Sequence, residues 1–288
     1  MIYYLYILLY LFAFHVNAID TIRIRGPQSK FDASHSYYEG LIRLAYEKNG
    51  KEVNIVYSPN MVQGRALKEL QAGRLIDVDW AGADEERSSE LSVVDVPLIK
   101  GLLGFRVFLT HKDNLDKLAK IATLDDLKEI ILCNGRDWPD TKIMQNAGLN
   151  LLLNSVYESM FFQTHHKRCD AFPRGINEAL IEFKIRQGSM PNLDLYNDLI
   201  LYYPLPMYFF TAPKNTELTT MLKKGLEAAI DDGSFDDYIE SHPTTKHLFP
   251  LKNWSNVRYI KLKNPFLLNI DTTNTRYWLT PETVMRIK

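Results

Sequence analysis

Three kinds of side chain in this sequence could do chemistry, and their spacing separates them. The first kind is arginine beside turn residues: Arg87 follows the acidic loop Gly82-Ala83-Asp84-Glu85-Glu86, and Arg174 sits between Pro173 and Gly175. A guanidinium is a planar fork that can grip a carboxylate through two N–H groups, so either residue could hold an anion. Each also has neighbours that could take up its charge: Asp84 or Glu85 for Arg87, and Glu178, one helical turn on, for Arg174. The second kind is aromatic. Trp138 and Tyr37 could wall in a ligand or simply pack, and Gln63, Arg65 and Asp137 add polar groups nearby in the loops. The third kind fails on geometry. His165-His166 with Cys169 and Asp170 are metal-ligating types, but adjacent histidines do not share a helical face as an i, i+4 pair does. Glu85-Glu86 are neighbours in sequence and do not make the facing carboxylates of acid–base hydrolysis. No Gly-x-Ser-x-Gly or phosphate-cradling glycine loop occurs. The expectation is a binding chain with no metal, no cofactor and no catalysis.

An alternating order of elements must position these residues. Thr21-Ile22-Arg23-Ile24 alternates polar and apolar and reads as a strand ended by Gly26-Pro27. Ser36 caps a helix reaching Asn49, with Tyr37, Leu41, Leu44 and Ala45 on one face. A strand over 53–57, a helix near 61–72 stopped by Gly73, and a strand over 77–81 follow. This β-α-β-α-β order predicts parallel strands flanked by helices. The pattern restarts after an extended stretch near 104–110, with strands over 130–133 and 169–172 and helices near 139–146, 155–165 and 175–186. Extended runs over 199–203 and 207–211 lead back.

The expected fold class is α/β, with two hinged lobes joined by two crossing strands. Residues 19–108 form the first part of lobe 1, 109–206 an inserted lobe 2, and 207–288 the second part of lobe 1 with a C-terminal wrap over it. In such lobes ligands sit outside the carboxyl ends of parallel strands, near helix N-termini that favour anions. That rule selects Gly26-Pro27, Ser36-Tyr37, Gln63, Arg65, Gly82 to Arg87, Arg136-Asp137-Trp138 and Phe172 to Gly175.

Composition sets the outer bounds. The chain has 288 residues, 34 Lys+Arg against 35 Asp+Glu, and 46% hydrophobic residues. A net charge this close to zero argues against a nucleic-acid or polybasic membrane-surface binder, and the hydrophobicity excludes wholesale disorder. Residues 1–18 carry no charge and end in Val16-Asn17-Ala18, the pattern of a secretory leader cleaved after Ala18; an uncleaved anchor is the rival reading. Cys133 and Cys169 are then exposed to an oxidising compartment. On adjacent parallel strands they would lie three residues out of step, ~10 Å, which is too far to bridge, so two separate buried thiols are expected.

Several runs together carry a family likeness. Met61-x-Gln63-Gly64-Arg65-Ala66-Leu67 with Gly73 and Asp77 is one. Glu86-Arg87 followed by Val96-Pro97-Leu98 and Gly101-Leu102-Leu103-Gly104-Phe105-Arg106 is another. Trp138-Pro139-Asp140-Thr141, Arg168-x-Asp170-Ala171-Phe172-Pro173-Arg174-Gly175-x-x-Glu178, Asn264-Pro265 and Trp278 complete the set. In this order the chain resembles the bacterial periplasmic solute-binding proteins of family 3, the amino-acid-binding class with the type II periplasmic fold, in a stand-alone proteobacterial branch. The resemblance implies a periplasmic monomer that closes on a small amino-acid-like or anionic ligand, serving uptake through a permease or signalling to a sensor. It also implies that Arg87 grips a ligand carboxylate, although the loop before it is acidic where the family's is rich in Ser and Thr. Two alternatives stand beside this reading: a secreted enzyme of the same shape using Asp137 or Asp140, and an interaction protein with a degenerate cleft.

Overall fold

The computed structural model describes residues 19–267 and 270–286. The chain opens with β1 (Asp20–Arg25), α1 (His35–Lys48), β2 (Val53–Ser58), α2 (Gln63–Gln71), β3 (Val78–Gly82), α3 (Glu85–Glu90) and β4 (Ser92–Val94). It continues with β5 (Phe105–His111), α4 (Leu115–Ala119), α5 (Leu124–Lys128), β6 (Ile131–Gly135), α6 (Pro139–Asn146) and β7 (Asn150–Asn154). Next come α7 (Tyr157–His165), β8 (Ala171–Gly175), α8 (Ile176–Arg186) and β9 (Leu193–Tyr202). The last part is β10 (Met207–Thr211), α9 (Thr216–Asp231), α10 (Ser234–Ser241), β11 (Arg258–Lys261) and α11 (Pro281–Arg286).

These strands form two sheets, one per lobe. The first has the order β2-β1-β3-β10-β4, and the second β11-β9-β5-β8-β6-β7. β1 is parallel to β2 and β3, and β6 is parallel to β7 and β8, so each lobe has a parallel half whose strand ends point the same way. Of the strands near the crossings, β5 runs antiparallel to β8 and β9, and β10 runs antiparallel to β3 and β4. Helices cover the sheets by apolar stripes: Tyr38, Leu41, Ile42 and Ala45 of α1 are buried, as are Leu218, Leu222, Leu226 and Ala229 of α9. These two helices cross so closely that a Cβ on Gly225 would lie 2.1 Å from the Ala45 carbonyl oxygen.

Three expectations are corrected. The inserted lobe takes all of β5, and the tail does not stay on lobe 1, because β11 adds a parallel strand to β9 at the edge of the second sheet. The chain then returns to lobe 1, where the Leu279 N–H donates to the Lys100 carbonyl and Trp278 lies against Gly101. The tail therefore adds passages between the lobes beyond the two expected. The cysteines are also not free: Cys133 and Cys169 form a disulfide with Cα atoms 5.6 Å apart. The register argument assumed that Cys169 lies in a strand, but β8 starts only at Ala171. Residues 168–170 form a bend after Lys167, whose φ is 56°, and this bend folds Cys169 back beneath β6 into the apolar layer of Met160, Phe161 and Phe172. The expected leader, residues 1–18, lies outside the described residues. Among the described residues no helix is long and apolar enough to cross a membrane.

Candidate functional site

The carboxyl ends of β1, β3 and β8, with the loop after β6, meet around one cavity between the lobes, of about 60 Å³ in the space open to water centres. Lobe 1 contributes Arg25, Tyr38, Gln63, Trp80 and Gly82, and lobe 2 contributes Arg106, Trp138, Asp140, Arg174 and Glu178. Gly82 allows the lobes to come together: a Cβ there would meet Cγ of Pro139 at 2.7 Å.

Buried arginines dominate the lining. Arg25 is the last residue of β1; its Nε donates to Oδ1 of Asp79 at 2.6 Å, and its guanidinium lies 4.7 Å over the Trp80 ring. Tyr38 stacks on the same indole at 5.0 Å. Arg106 stands between the apolar Phe105 and Val107 of β5, with Nη2 2.9 Å from Oδ2 of Asp140 and Nη1 3.9 Å from Oε2 of Glu178. Asp140 also accepts from the Tyr203 hydroxyl at 2.9 Å. Arg174 donates Nε and Nη2 to the two oxygens of Glu182 at 2.8 and 2.7 Å, and Nη2 lies 2.9 Å from Glu178. Its guanidinium lies 4.8 Å over Trp138 and 5.2 Å over Phe172.

Burial costs these charges their hydration, and the pairs recover it to different extents. For Arg174, burial opposes the charge, but Glu178 and Glu182 outweigh it and hold the pKa well above the ordinary value. For Glu178, burial dominates over Arg174 and raises the carboxyl above its usual range. Burial also raises the Tyr38 hydroxyl, so it is a neutral hydrogen-bonding group at physiological pH. Several buried polar atoms of the lining have no hydrogen-bond partner: Nη1 of Arg25, Nε and Nη1 of Arg106, the Tyr38 hydroxyl, Oε1 of Gln63 and Oε2 of Glu178. Unmet groups of this kind are costly unless something arrives to satisfy them.

The residues singled out from sequence are distributed unevenly. Trp138, Gln63 and Arg174 line the cavity. Arg87 and Asp137 lie beside it at the lobe contact, where the Arg87 fork donates to the carbonyls of Gly82 at 2.7 Å and Asp137 at 2.6 Å. Asp84 caps α3 through the Arg87 backbone N–H and makes no ion pair with its side chain. Tyr37 faces the lobe 1 core and donates to the Leu98 carbonyl at 2.8 Å; the next residue, Tyr38, faces the cavity. Arg65 is exposed on α2, outside the lining. Two more contacts join the lobes, Ser29 Oγ to Glu158 at 2.6 Å and Lys142 to Glu86 at 2.6 Å. Among the described residues no cluster of three or more His, Cys, Asp or Glu side chains could hold a metal.

Sequence reasoning passed over Arg25, Arg106 and Tyr38. A signal existed for the arginines. Arg23-x-Arg25 and Asp77-x-Asp79 repeat at the strand period, which puts two rungs of one charge ladder on one face of β1 and β3. A charged residue between apolar neighbours in a strand, such as Arg106, is the informative exception to burial statistics.

No family model matches the sequence, and no curated protein matches it. Solved structures do match in shape. An ancestral arginine-binding protein bound to arginine aligns with a TM-score of 0.58 at 19% identity, over 76% of this chain and 96% of that one. The substrate-binding protein of an amino acid ABC transporter aligns at 0.54 and 15%, over 77% and 98%. A histidine kinase sensor domain with similarity to periplasmic binding proteins aligns at 0.56 and 17%, over 77% and 94%. The chain therefore has the two-lobed α/β fold of the periplasmic amino-acid-binding proteins.

Proposed function

We propose that this protein is a periplasmic, monomeric solute-binding protein that closes its lobes on a small amino-acid-like or anionic ligand and does no chemistry on it. The observation that carries this reading is the interlobe cavity, whose buried arginines, carboxylate, amide and hydroxyl keep unpartnered polar atoms. A ligand that satisfies them gains charge-assisted hydrogen bonds in a dry site, and this gain drives closure. The solved structures similar in shape include both a transporter component and a sensor domain, so the closed form would be read by a membrane permease or a membrane sensor.

Thermal-shift screening with amino acids, short peptides and organic acids tests the reading. A binder gains stability as RT ln(1 + [L]/Kd), about 2.7 kcal/mol at a hundredfold excess over Kd. One compound or a narrow class should raise the melting temperature and be recovered unchanged by mass spectrometry. A panel with no stabilising compound defeats the binding function, and conversion of the hit would favour an enzyme using Asp140.

A further inference from the structure

Both terminal nitrogens of Arg87 donate to backbone carbonyls at the lobe contact, and Arg87 is not part of the cavity lining. Arg174 directs Nε and Nη2 at Glu182, has Glu178 as a second counter-charge, and stacks on Trp138 and Phe172. The open donors belong instead to Arg25, which is 2% exposed, and Arg106, also 2% exposed. They come from different lobes and line the same cavity. The acceptors in that lining without a hydrogen bond are Gln63 Oε1 and Glu178 Oε2, the latter ion-paired with Arg174 at 2.9 Å.

Resting on the solute-binding reading, we propose that Arg25 and Arg106 together form the seat for the ligand carboxylate in place of Arg87, and that the closed site selects ligands of glycine or alanine size. The two arginines supply three nitrogens without a hydrogen-bond partner, enough for a carboxylate that bridges the lobes. Gln63 and Glu178 supply acceptors for an ammonium group on the same ligand. Size follows from volume: one water needs ~10–15 Å³ of such space, so the cavity holds roughly four to six waters, which a small amino acid would displace. Charge selection follows from Arg174. Its guanidinium already fills an aromatic and carboxylate cage of the type that would receive a long cationic side chain, so the cage excludes one.

Isothermal titration calorimetry with glycine, L-alanine, glycinamide and L-arginine tests this, on the wild-type chain and on Arg25→Lys and Arg106→Gln. Glycine or L-alanine should bind, and glycinamide, which lacks the carboxylate, should bind ~100-fold more weakly. Each substitution should weaken the amino acid by ~30-fold or more, because a buried charge-assisted contact is lost. The comparison of glycine with glycinamide needs no variant, so it decides the matter even if a substitution unfolds the protein. Equal affinity for the two compounds, or unchanged affinity in both variants, overturns the carboxylate seat. Tight binding of L-arginine overturns the size and charge limits while leaving the solute-binding function intact. Failure of every compound, here and in the wider screen, overturns that function itself.

Discussion

Arg25 in lobe 1 and Arg174 in lobe 2 are near mirror images that differ in one respect. Both stand at the carboxyl end of a parallel strand, both are buried, and both lie over an indole, at 4.7 Å from Trp80 and 4.8 Å from Trp138. Arg174 gives two hydrogen bonds to Glu182 and has Glu178 as a second counter-charge. Arg25 gives one bond to Asp79 and leaves Nη1 open, as Asp79 leaves Oδ2 open. Burial and sequence context therefore do not tell a scaffold arginine from a receiving one; the extent of carboxylate pairing does, with two carboxylates on Arg174 and one on Arg25. A guanidinium saturated in this sense orders its lobe, whereas an unsaturated one holds a cost that only a bound partner relieves.

The largest expected effects are in lobe 2, where the first variant breaks the saturated member. Glu182→Ala strips the fork from Arg174 and the acceptor from the Tyr157 hydroxyl, which now donates to Glu182 at 2.5 Å. Breaking a buried ion pair costs ~3–5 kcal/mol, here towards the lower end because Glu178 remains 2.9 Å from Arg174. Asp79→Ala removes a single bond from Arg25, so in urea unfolding the Glu182 variant should lose ~1 kcal/mol or more beyond the Asp79 variant. Equal losses would end the distinction between the two arginines. Lobe 2 is further fixed by its disulfide, which closes a loop with a sequence separation of 36 next to the Arg174 strand. Replacing both cysteines by Ala should cost ~4 kcal/mol by the chain-entropy argument. Denatured but unreduced wild-type protein should show no titratable thiol; two thiols would return the cysteines to the separate state expected from sequence.

The parallel half of lobe 1 was legible in sequence because strand alternation and helical stripes are local signals, whereas in lobe 2 the strand β7 (Asn150–Asn154) was not read. The helix near 139–146 is found at Pro139–Asn146, with proline at its first turn. What was not legible depended on contacts distant in sequence. β11 has no alternation strong enough to announce an edge strand, and its place beside β9 is set by pairing across 59 positions, from Arg258 to Leu199. The bend at 168–170 defeated the register argument for the cysteines, because a register holds only while the chain stays in the strand. At the site, Trp138, Gln63 and Arg174 were found by the strand-end rule, but Tyr37 was chosen where Tyr38 faces the cavity. Two consecutive helical residues point about 100° apart, so near the boundary of a buried stripe sequence does not decide which one meets the cleft.

The carboxylate between the two buried arginines of lobe 2 gives the next test. Glu178 faces Arg174 and Arg106, and its field also includes Glu182, Asp32 and Tyr38. Burial raises its folded-state pKa, so the folded protein holds this proton more tightly than the unfolded chain does. Ionising it therefore costs stability: the penalty is absent below about 4.3, where the unfolded carboxyl is protonated, and grows as pH rises through the raised folded value. Glu178→Gln cannot ionise and should gain stability relative to wild type between pH 4 and pH 8 in paired urea titrations. A relative loss over that range would show that the arginines outweigh burial, and that Glu178 belongs to the saturated class.

The smallest effect comes from the other rung of the lobe 1 ladder. Arg23 makes the contact to Asp77 that Arg25 makes to Asp79, two residues further along the same strands, but with every side-chain nitrogen engaged: Nε and Nη2 on Asp77 and Nη1 on the Arg74 carbonyl. Its side chain is 41% exposed, so water competes for the pair. Although burial of Asp77 acts in the opposite sense, its hydrogen bonds with Arg23 hold its pKa below the usual carboxylate value. That contribution is present above the unfolded value of about 3.9 and is lost as pH falls through the folded one. Asp77→Asn should therefore cost less than ~1 kcal/mol at neutral pH, with the difference from wild type disappearing in acid. A cost as large as that of Asp79→Ala would mean that the ladder acts as one unit, in which case the open atoms of Arg25 would reflect the geometry of the ladder and not a seat for a ligand.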